Sequence, residues 1–261
     1  MFKKKSLGQH FLNSPQIIAD IVSAGKVVDG DVVVEIGPGE GILTKGLLAT
    51  GAHVIAIEKD DRLIPELQTT FAKEISVRQL ELIHADVLDL GLPHITEKPY
   101  KVVANIPYYI TGQIIRMFLE SDHQPKSMTL LVQKEVAERV VAKDGKESLL
   151  SLSVKVFGEP KIARVVGRGA FTPQPNVDSA VLCIENISKD KLAGLEAKLF
   201  FTVIHAGFAH KRKQLLPNLA DLYKKDQLLK AFEKCKINTK ARAEDLPLTT
   251  WIQLCNILTK C

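Results

Sequence analysis

The segment that begins at Val32 and ends at Gly41 constrains the fold more than any other part of the sequence. It reads Val-Val-Val-Glu-Ile-Gly-Pro-Gly-Glu-Gly, so a run rich in β-branched residues gives way to three glycines spaced two apart. β-branched residues favour strands, and glycine lets the backbone approach a ligand closely. A buried strand ending in such a loop is typical of nucleotide-like ligand sites, although a plain strand-to-helix turn has the same composition.

The glycine spacing narrows the class of ligand. A dinucleotide-binding loop reads Gly-x-Gly-x-x-Gly, but Ile42 stands at the position of the third glycine. A phosphate-binding loop has Gly directly before its lysine, whereas Lys45 follows Thr44. Glu58 closes the next apolar run, where an acid suits the hydroxyls of a ribose, and Glu35 is suited to hold a positive charge. S-adenosylmethionine carries both groups, so the pattern favours this cofactor.

Apolar runs alternate with helical periodicity through the first part of the chain. We predict a first helix from Ser14-Pro15 to about Gly25. Strands are predicted at residues 32–36, 53–57, 80–84, 101–104 and 128–132. This alternation indicates an α/β fold with a parallel sheet and helices on both faces. Residues 153–157 and 180–184 have little helical pattern between them and are predicted as an antiparallel edge pair.

The strand pattern disappears near Lys189, and apolar residues then recur at helical spacing. We therefore predict an α/β domain at residues 1–187 and a small all-α domain at residues 188–261. From residue 187 onward the chain has 14 Lys and Arg against 7 Asp and Glu, whereas the first 186 residues have 21 against 23. A basic segment of this kind suits nucleic acid, although a solvated lysine-rich helix face gives the same count.

Composition excludes several other classes of protein. At 46% hydrophobic and 25% charged residues, the chain has the composition of a soluble globular protein. No apolar run approaches the roughly 20 residues that span a bilayer, and the basic start at residues 3–5 leads into no apolar signal core. We expect a cytoplasmic protein without a membrane partner. Four cysteines without a Cys-x-x-Cys pair predict no metal site.

Polar residues follow the predicted parallel strands at the edge where such sheets bind ligands. Asp86 could accept a hydrogen bond from an adenine amino group, or it could simply cap a turn. The amino group of adenine is a weak nucleophile, because its lone pair is delocalised, so it needs acceptors that orient it. Asn105 and a carbonyl of Ile106 or Pro107 could accept from it, and Tyr108 offers a ring on which an extruded base stacks. A proline turn after a strand is the alternative.

Four segments together resemble the ribosomal RNA adenine dimethyltransferases over nearly the whole chain. They are Gly-Gln-His-Phe-Leu at 8–12, Glu-Ile-Gly-Pro-Gly-Glu-Gly at 35–41, Asn-Ile-Pro-Tyr at 105–108 and Phe-Thr-Pro-Gln-Pro-Asn-Val-Asp-Ser at 171–179. The resemblance implies a class I S-adenosylmethionine-dependent methyltransferase (Rossmann-like) domain at 1–187 and an RNA-binding helical domain at 188–261. Its small-subunit members methylate N6 of two adjacent adenosines in the 3′-terminal hairpin of 16S rRNA, giving N6,N6-dimethyladenosine during subunit assembly.

The resemblance also implies roles for single residues. Cofactor binding is expected at His10, Leu12, Gly37, Glu58, Asp86 and Asn105, joined from the loop itself by Glu35 and Gly39. Asn105, Pro107 and Tyr108 would hold the target base, and Phe171 would pack on its other face. Without the resemblance, Phe171 reads as a core or loop aromatic. Contacts to RNA are expected at Lys211, Arg212 and Lys213, from a monomer that binds rRNA in the assembling small subunit.

Other functions remain open at this point. The large-subunit adenine methyltransferases that confer macrolide resistance share the cofactor loop and the Asn-Ile-Pro-Tyr motif, but the basic segment at 208–215 resembles the small-subunit enzymes. A non-catalytic RNA-binding assembly factor has the same fold, and Asn-Ile-Pro-Tyr also resembles the motif of DNA adenine methyltransferases. One departure from the small-subunit pattern is Leu149-Leu150, which stands where Tyr-Gly is usual.

Overall fold

A computed structural model of the chain describes residues 11–12, 14–90 and 95–259. Its centre is a seven-stranded sheet within those residues. In spatial order the strands are Leu80–His84 (β4), His53–Glu58 (β3), Val32–Ile36 (β2), Tyr100–Asn105 (β5), Ser127–Gln133 (β6), Ser179–Glu185 (β9) and Glu159–Val166 (β7). The first five are parallel, and β9 runs antiparallel to both β6 and β7. A separate two-residue strand, Phe11–Leu12 (β1), pairs with Phe171–Thr172 (β8).

Helices separate most of the strands, so the fold is a mixed α/β fold as the sequence predicts. They are Pro15–Ala24 (α1), Ile42–Leu48 (α2), Ile64–Thr70 (α3), Ala72–Ser76 (α4), Thr111–Glu120 (α5), Lys134–Val141 (α6) and Leu149–Lys155 (α7). Helix α1 begins with a proline in its first turn and buries Ile17, Ile18 and Ile21, which fall on one face at helical spacing. Its predicted bounds are confirmed.

The predicted parallel strands are confirmed, each to within one residue at either end. The pattern is strong because these strands are buried on both faces and therefore read as continuous apolar runs. All five residues of β2 are buried, including the acidic Glu35. The predicted strand at 180–184 is confirmed as the core of β9.

The predicted strand at residues 153–157 is wrong. Those residues belong largely to helix α7, which begins after Ser148 in a reciprocal cap: the Ser148 hydroxyl accepts from the Ser151 amide, and the Ser151 hydroxyl accepts from the Ser148 amide. The edge strand that pairs with β9 is β7. Most residues of β7 are exposed or half-buried, so its sequence lacks the apolar alternation that marks a strand.

The chain divides into two compact units. The first contains the described residues up to 137 together with 159–187, and the second contains 138–158 together with the described residues from 188 on. Residues 138–158, which the sequence analysis places in the larger domain, thus pack with the helical unit. No helix within the described ranges is long and apolar enough to cross a membrane.

The second unit is helical, as the apolar spacing after Lys189 predicts. Its principal helices besides α7 are Ala197–Gly207 (α8), Leu215–Leu219 (α9), Lys225–Lys234 (α10) and Leu248–Leu258 (α11). Fully buried Trp251 lies against α8, where a β-carbon at Gly207 would come within 2.4 Å of the Trp251 ring. Only glycine therefore allows this close approach of α8 to α11.

Candidate active site

The loop after β2 presents bare backbone to a cavity. Gly37, Gly39 and Gly41 all have positive φ angles, of 65°, 60° and 80°. A β-carbon at Gly41 would lie 2.5 Å from Cε2 of Phe71, whereas one at Gly37 would meet no atom within 4 Å. Gly37 lines the cavity, so the space beside it is available to a ligand.

The cavity has a volume of about 1120 Å³, part of it open to solvent. Strands β4, β3, β2 and β5 are neighbours, so their carboxyl ends meet at one edge of the sheet. Of the residues predicted from sequence, those that line this cavity are Leu12, Glu35, Gly37, Gly39, Glu58, Asp86, Asn105, Pro107 and Tyr108. The structure thus brings together the two motifs at 35–41 and 105–108.

Two buried carboxyl groups lie on the wall of the cavity. Glu35 is 1% exposed, and its Oε2 has no hydrogen-bond partner among the described residues. Burial raises the pKa of Glu35 to about 8; the charge of Glu58 raises it further, and the hydroxyl of Thr44 opposes the shift. Glu58 accepts hydrogen bonds from the amides of Gly39 at 3.2 Å and Asp60 at 2.7 Å. Burial raises the pKa of Glu58 as well, although these amides oppose the shift.

These features fit a ligand that carries a positive charge and a ribose. A buried carboxyl oxygen without a partner is costly unless a donor or cation reaches it, and Glu35 offers such an oxygen. The amides bound to Glu58 fix its orientation and leave lone pairs that a diol can use. The residues present therefore suit S-adenosylmethionine.

Asp86 is held in an ion pair that the sequence did not indicate. Its Oδ2 lies 2.5 Å from Nζ of Lys59, and its Oδ1 accepts from the amide of Leu88 at 3.0 Å. The hydrogen bond from Lys59 lowers the pKa of Asp86, which keeps the carboxylate ionised. An ionised Asp86 can only accept hydrogen bonds, as an interaction with an adenine amino group requires. Lys59 directly follows Glu58 and also lines the cavity.

The Asn-Ile-Pro-Tyr motif leads from β5 into a short turn. Asn105 is the last residue of β5, and the carbonyl of Pro107 accepts from the amide of Ile110 at 3.3 Å. The hydroxyl of Tyr108 lies 2.6 Å from Oγ of Ser179. Burial raises the pKa of Tyr108, with the bond to Ser179 opposing the shift, so its hydroxyl stays protonated.

Ser179 reaches this edge because β9 is antiparallel. It is the first residue of β9 and lies opposite Gln133, the last residue of β6. An antiparallel strand begins where its parallel neighbour ends, so Ser179 reaches the edge where the ligand-binding loops lie. Ser179 is completely buried. Sequence reasoning missed this residue, although it closes the Phe171 motif.

Phe171 does not line the cavity. Phe171 lies opposite Leu12 in the β1–β8 pair, is 4% exposed, and packs in the hydrophobic core of its unit. Contact with a base would require Phe171 to leave this packing. Lys211, Arg212 and Lys213 are exposed in the helical unit. His10 lies outside the described residues.

Comparison with known proteins gives the family. Residues 1–260 match the model of the family described as "Ribosomal RNA adenine dimethylase". A relative from Dehalococcoides mccartyi, "Ribosomal RNA small subunit methyltransferase A", is 41% identical over 256 residues, which cover 97% of this chain and 87% of the relative. A dimethyladenosine transferase from Plasmodium falciparum is 26% identical with a TM-score of 0.81, over 94% of this chain and 96% of that one. The 23S rRNA methyltransferase ErmE is 25% identical with a TM-score of 0.76, over 95% and 99%. The chain therefore belongs to the ribosomal RNA adenine dimethylase family.

Proposed function

We propose that the protein transfers methyl groups from S-adenosylmethionine to N6 of two adjacent adenosines in the 3′-terminal hairpin of small-subunit rRNA, giving N6,N6-dimethyladenosine. The observation that carries this proposal is the shared cavity. Glu35, Gly37 and Glu58, which suit the cofactor, line the same cavity as Asn105 and Tyr108, which suit an adenine base. A methyl donor and a flipped base would therefore meet in one cavity that is partly open to solvent.

The cofactor would be held by the carboxyl ends of three neighbouring strands. Glu58 takes the ribose hydroxyls, Asp86 the adenine amino group, and Glu35 the positively charged end. Leu12, Gly37 and Gly39 form the remaining wall, and His10 is proposed from the family resemblance alone. Bound S-adenosylmethionine supplies an activated methyl group on a sulfonium centre.

The chain contributes positioning rather than acid or base groups at the target base. The amide oxygen of Asn105 accepts a hydrogen bond from the amino group, which directs its lone pair out of the ring plane. Pro107 stiffens the turn, and Tyr108 stacks on the base. The protonated hydroxyl of Tyr108 cannot take the proton, and none of these groups needs to, because a methylated amino group is acidic enough to lose its proton to water. Fixing the two reactants in line supplies most of the rate. Phe171 is proposed to close on the other face of the base.

The small subunit is the favoured source of the RNA. Relatives 37–42% identical are named "Ribosomal RNA small subunit methyltransferase A", whereas the 23S rRNA methyltransferase ErmE is 25% identical. We propose that residues 1–187 supply the methyltransferase domain and that the basic helical region, with Lys211, Arg212 and Lys213, binds rRNA of the assembling subunit. The protein would act as a monomer in the cytoplasm.

A labelling experiment tests the proposal. The protein is incubated with radiolabelled S-adenosylmethionine and small-subunit particles that lack the modification, and the product is mapped by mass spectrometry. We expect dimethyladenosine at two adjacent positions of the 3′-terminal hairpin. Asn105→Ala should transfer no methyl group while keeping part of its cofactor binding in a calorimetric titration. Label in large-subunit RNA, or no label at all, would contradict the proposal.

The basic segment is tested separately. Replacing Lys211, Arg212 and Lys213 together by alanine should weaken RNA binding and reduce the slope of log affinity against log salt by about 2 to 3, because about 0.9 counterions are released per neutralised phosphate. The matched control replaces the exposed Lys224, Lys225 and Lys230 of the same unit. An unchanged slope in the first variant would show that these charges are only solvated.

A further inference from the structure

Tyr109 differs from the other aromatic residues because its ring is largely in solvent although it lines the cavity. It is 65% exposed, the largest value among the exposed large hydrophobic side chains of the described chain. It lies in the single turn Tyr108–Ile110 that follows the Asn-Ile-Pro-Tyr motif. Isolated apolar side chains are common on protein surfaces, so exposure alone says little. Because Tyr109 lines the cavity, its exposed ring is available to a ligand there.

Among the described residues, Tyr109 also lacks the ring pairs and hydrogen bonds that hold other aromatic side chains in place. Other aromatic side chains pair with one another, as Tyr100 does with Phe118 and Phe208 with Trp251. Within the ranges the structure describes, the Tyr109 ring has no such partner and its hydroxyl has no hydrogen bond. Its neighbour Tyr108 is half-buried and bonded to Ser179. Two consecutive tyrosines thus face different surroundings, one inside the cavity wall and one at its rim.

The course of an RNA strand past the cavity indicates which ligand the exposed ring would bind. A base that reaches Asn105 must leave its stack and enter the cavity, while the nucleotides on either side stay outside at the rim. Each neighbour loses its stacking partner when the target base leaves, so an exposed aromatic ring at the rim can replace it. The exposed Lys59 lines the same cavity, and its ammonium group pairs with Asp86. The positive charge of Lys59 could also attract the backbone phosphate of such a nucleotide.

We propose that Tyr109 is a stacking site for the nucleotide next to the target adenosine. This inference rests on the proposed function. The protein then holds two consecutive bases of one RNA strand, the target base on Tyr108 and its neighbour on Tyr109. Stacking needs the aromatic ring but not the hydroxyl, so phenylalanine serves at position 109 and alanine does not.

The test compares Tyr109→Ala, Tyr109→Phe and a matched control. The control is Val77→Ala, which shortens a side chain that is 64% exposed and does not line the cavity. The RNA is a hairpin with 2-aminopurine on one or the other side of the target adenosine, and the readouts are its fluorescence, the RNA Kd and the cofactor Kd. We expect quenching at one flank with the wild-type protein. Tyr109→Ala should abolish it and weaken RNA binding about 5- to 150-fold, corresponding to the usual cost of losing one base–aromatic stack. Tyr109→Phe and the control should stay within about twofold of wild type.

Several outcomes would overturn the inference. Quenching at neither flank, or an RNA Kd unchanged in Tyr109→Ala, shows that the ring binds no neighbouring base. If Tyr109→Ala has a larger Kd for the cofactor and an unchanged Kd for RNA, the ring covers the cofactor instead. Wild-type protein that transfers no methyl group to the small-subunit particles of the labelling experiment overturns the proposed function together with the stacking site. Normal wild-type methylation with an unaffected Tyr109→Ala overturns the stacking site alone.

Discussion

Tyr108 is held in place by a residue 71 positions away in the sequence. Its hydroxyl is bonded to Ser179, which is buried at the start of an antiparallel strand. The hydroxyl lies at the edge of the ring, whereas a base stacks on its face, so the bond leaves the stacking face open. Its physical effect is to fix the plane of the ring, and in the proposed reaction a fixed ring would keep a stacked base in line with the methyl donor.

We predict that Ser179→Ala lowers kcat about 3- to 10-fold, since one neutral hydrogen bond contributes about 1 kcal/mol. Tyr108→Phe should have a similar effect, and the double variant should be no worse than either single variant. Steady-state kinetics of wild type, the two single variants and the double variant give the coupling free energy between Ser179 and Tyr108. Ser153→Ala, which removes another buried hydroxyl, is the control and should leave kcat unchanged. If the fold reductions in kcat of Ser179→Ala and Tyr108→Phe multiply in the double variant, Ser179 acts on general stability instead.

Glu35 gives the ligand-free protein a pH dependence of known sign. Its pKa is raised from 4.5 to about 8 because the carboxyl group is buried. Between these values the unfolded chain has released the proton and the folded chain still holds it, so stability falls as pH rises through this window. Below the lower value both states are protonated and the contribution is fully present.

Glu35→Gln should remove this dependence. At pH 8 we expect the ligand-free variant to have a free energy of unfolding about 1 to 3 kcal/mol larger than that of wild type, measured in urea. The two free energies should become equal at about pH 4.5. The same variant should bind S-adenosylmethionine more weakly, because a neutral amide cannot balance its positive charge. Glu66→Gln, at an exposed acid that does not line the cavity, is the control. Parallel pH curves for wild type and Glu35→Gln would contradict the assignment of the pKa shift to Glu35.

At the scale of elements, the loop between β2 and α2 depends on two glycines for different reasons. Gly41 is enclosed by Phe71 and Leu67, which pack against the start of α2. Gly37 has open space where a side chain would point, and that space belongs to the cavity. Gly41 is therefore needed for packing and Gly37 for ligand access.

Alanine at these two positions should separate stability from binding. Gly41→Ala combines a positive φ with a β-carbon 2.5 Å from Phe71, so we expect a loss of about 2 to 4 kcal/mol in urea unfolding. Gly37→Ala meets no atom and should cost only about 1 kcal/mol, yet it should weaken cofactor binding at least about tenfold. If Gly37→Ala bound the cofactor as well as wild type, the cavity beside Gly37 would not be the cofactor site.

At the scale of the whole molecule, the helical unit is built from two separate parts of the chain. The Lys191 ammonium donates to the carbonyls of Lys155 at 3.2 Å and Gly158 at 2.9 Å. The rings of Phe157 and Phe201 lie 6.0 Å apart, and Phe157 is fully buried. Residues 138–158 thus obtain much of their packing from residues beyond 187.

A chain that ends at residue 187 should therefore be unstable, because it exposes Phe157 and the buried face of α7. We expect it to bind a hydrophobic dye and to unfold at a lower temperature than the full chain. A second truncated chain, in which a short Gly-Ser linker replaces residues 138–158, should recover part of the lost stability. Equal melting temperatures for the 1–187 chain and the full chain would show that residues 138–158 need no helical partner.

Local signals were sufficient to predict the parallel strands and the glycine-rich loop after β2. Buried strands give continuous apolar runs, and positive φ angles select glycine. Both features can therefore be recognised from the residue types at those positions. The grouping of Glu35, Glu58, Asp86 and Asn105 in one cavity also follows from strand order, because the carboxyl ends of neighbouring parallel strands meet. The edge strand β7 and the helix α7 escaped prediction, because an exposed strand has no apolar alternation and a short capped helix can read as a strand.

By itself, the sequence determined the α/β architecture, the family and the residues that suit a methyl donor and an adenine base. Only the tertiary structure decided how those residues are supported. It placed Lys59 against Asp86 and Ser179 against Tyr108, left the ring of Tyr109 in solvent, and buried Phe171 beside Leu12. The physical reason is that propensity and spacing act between near neighbours, whereas these contacts join positions far apart in the chain that meet only when the sheet has formed.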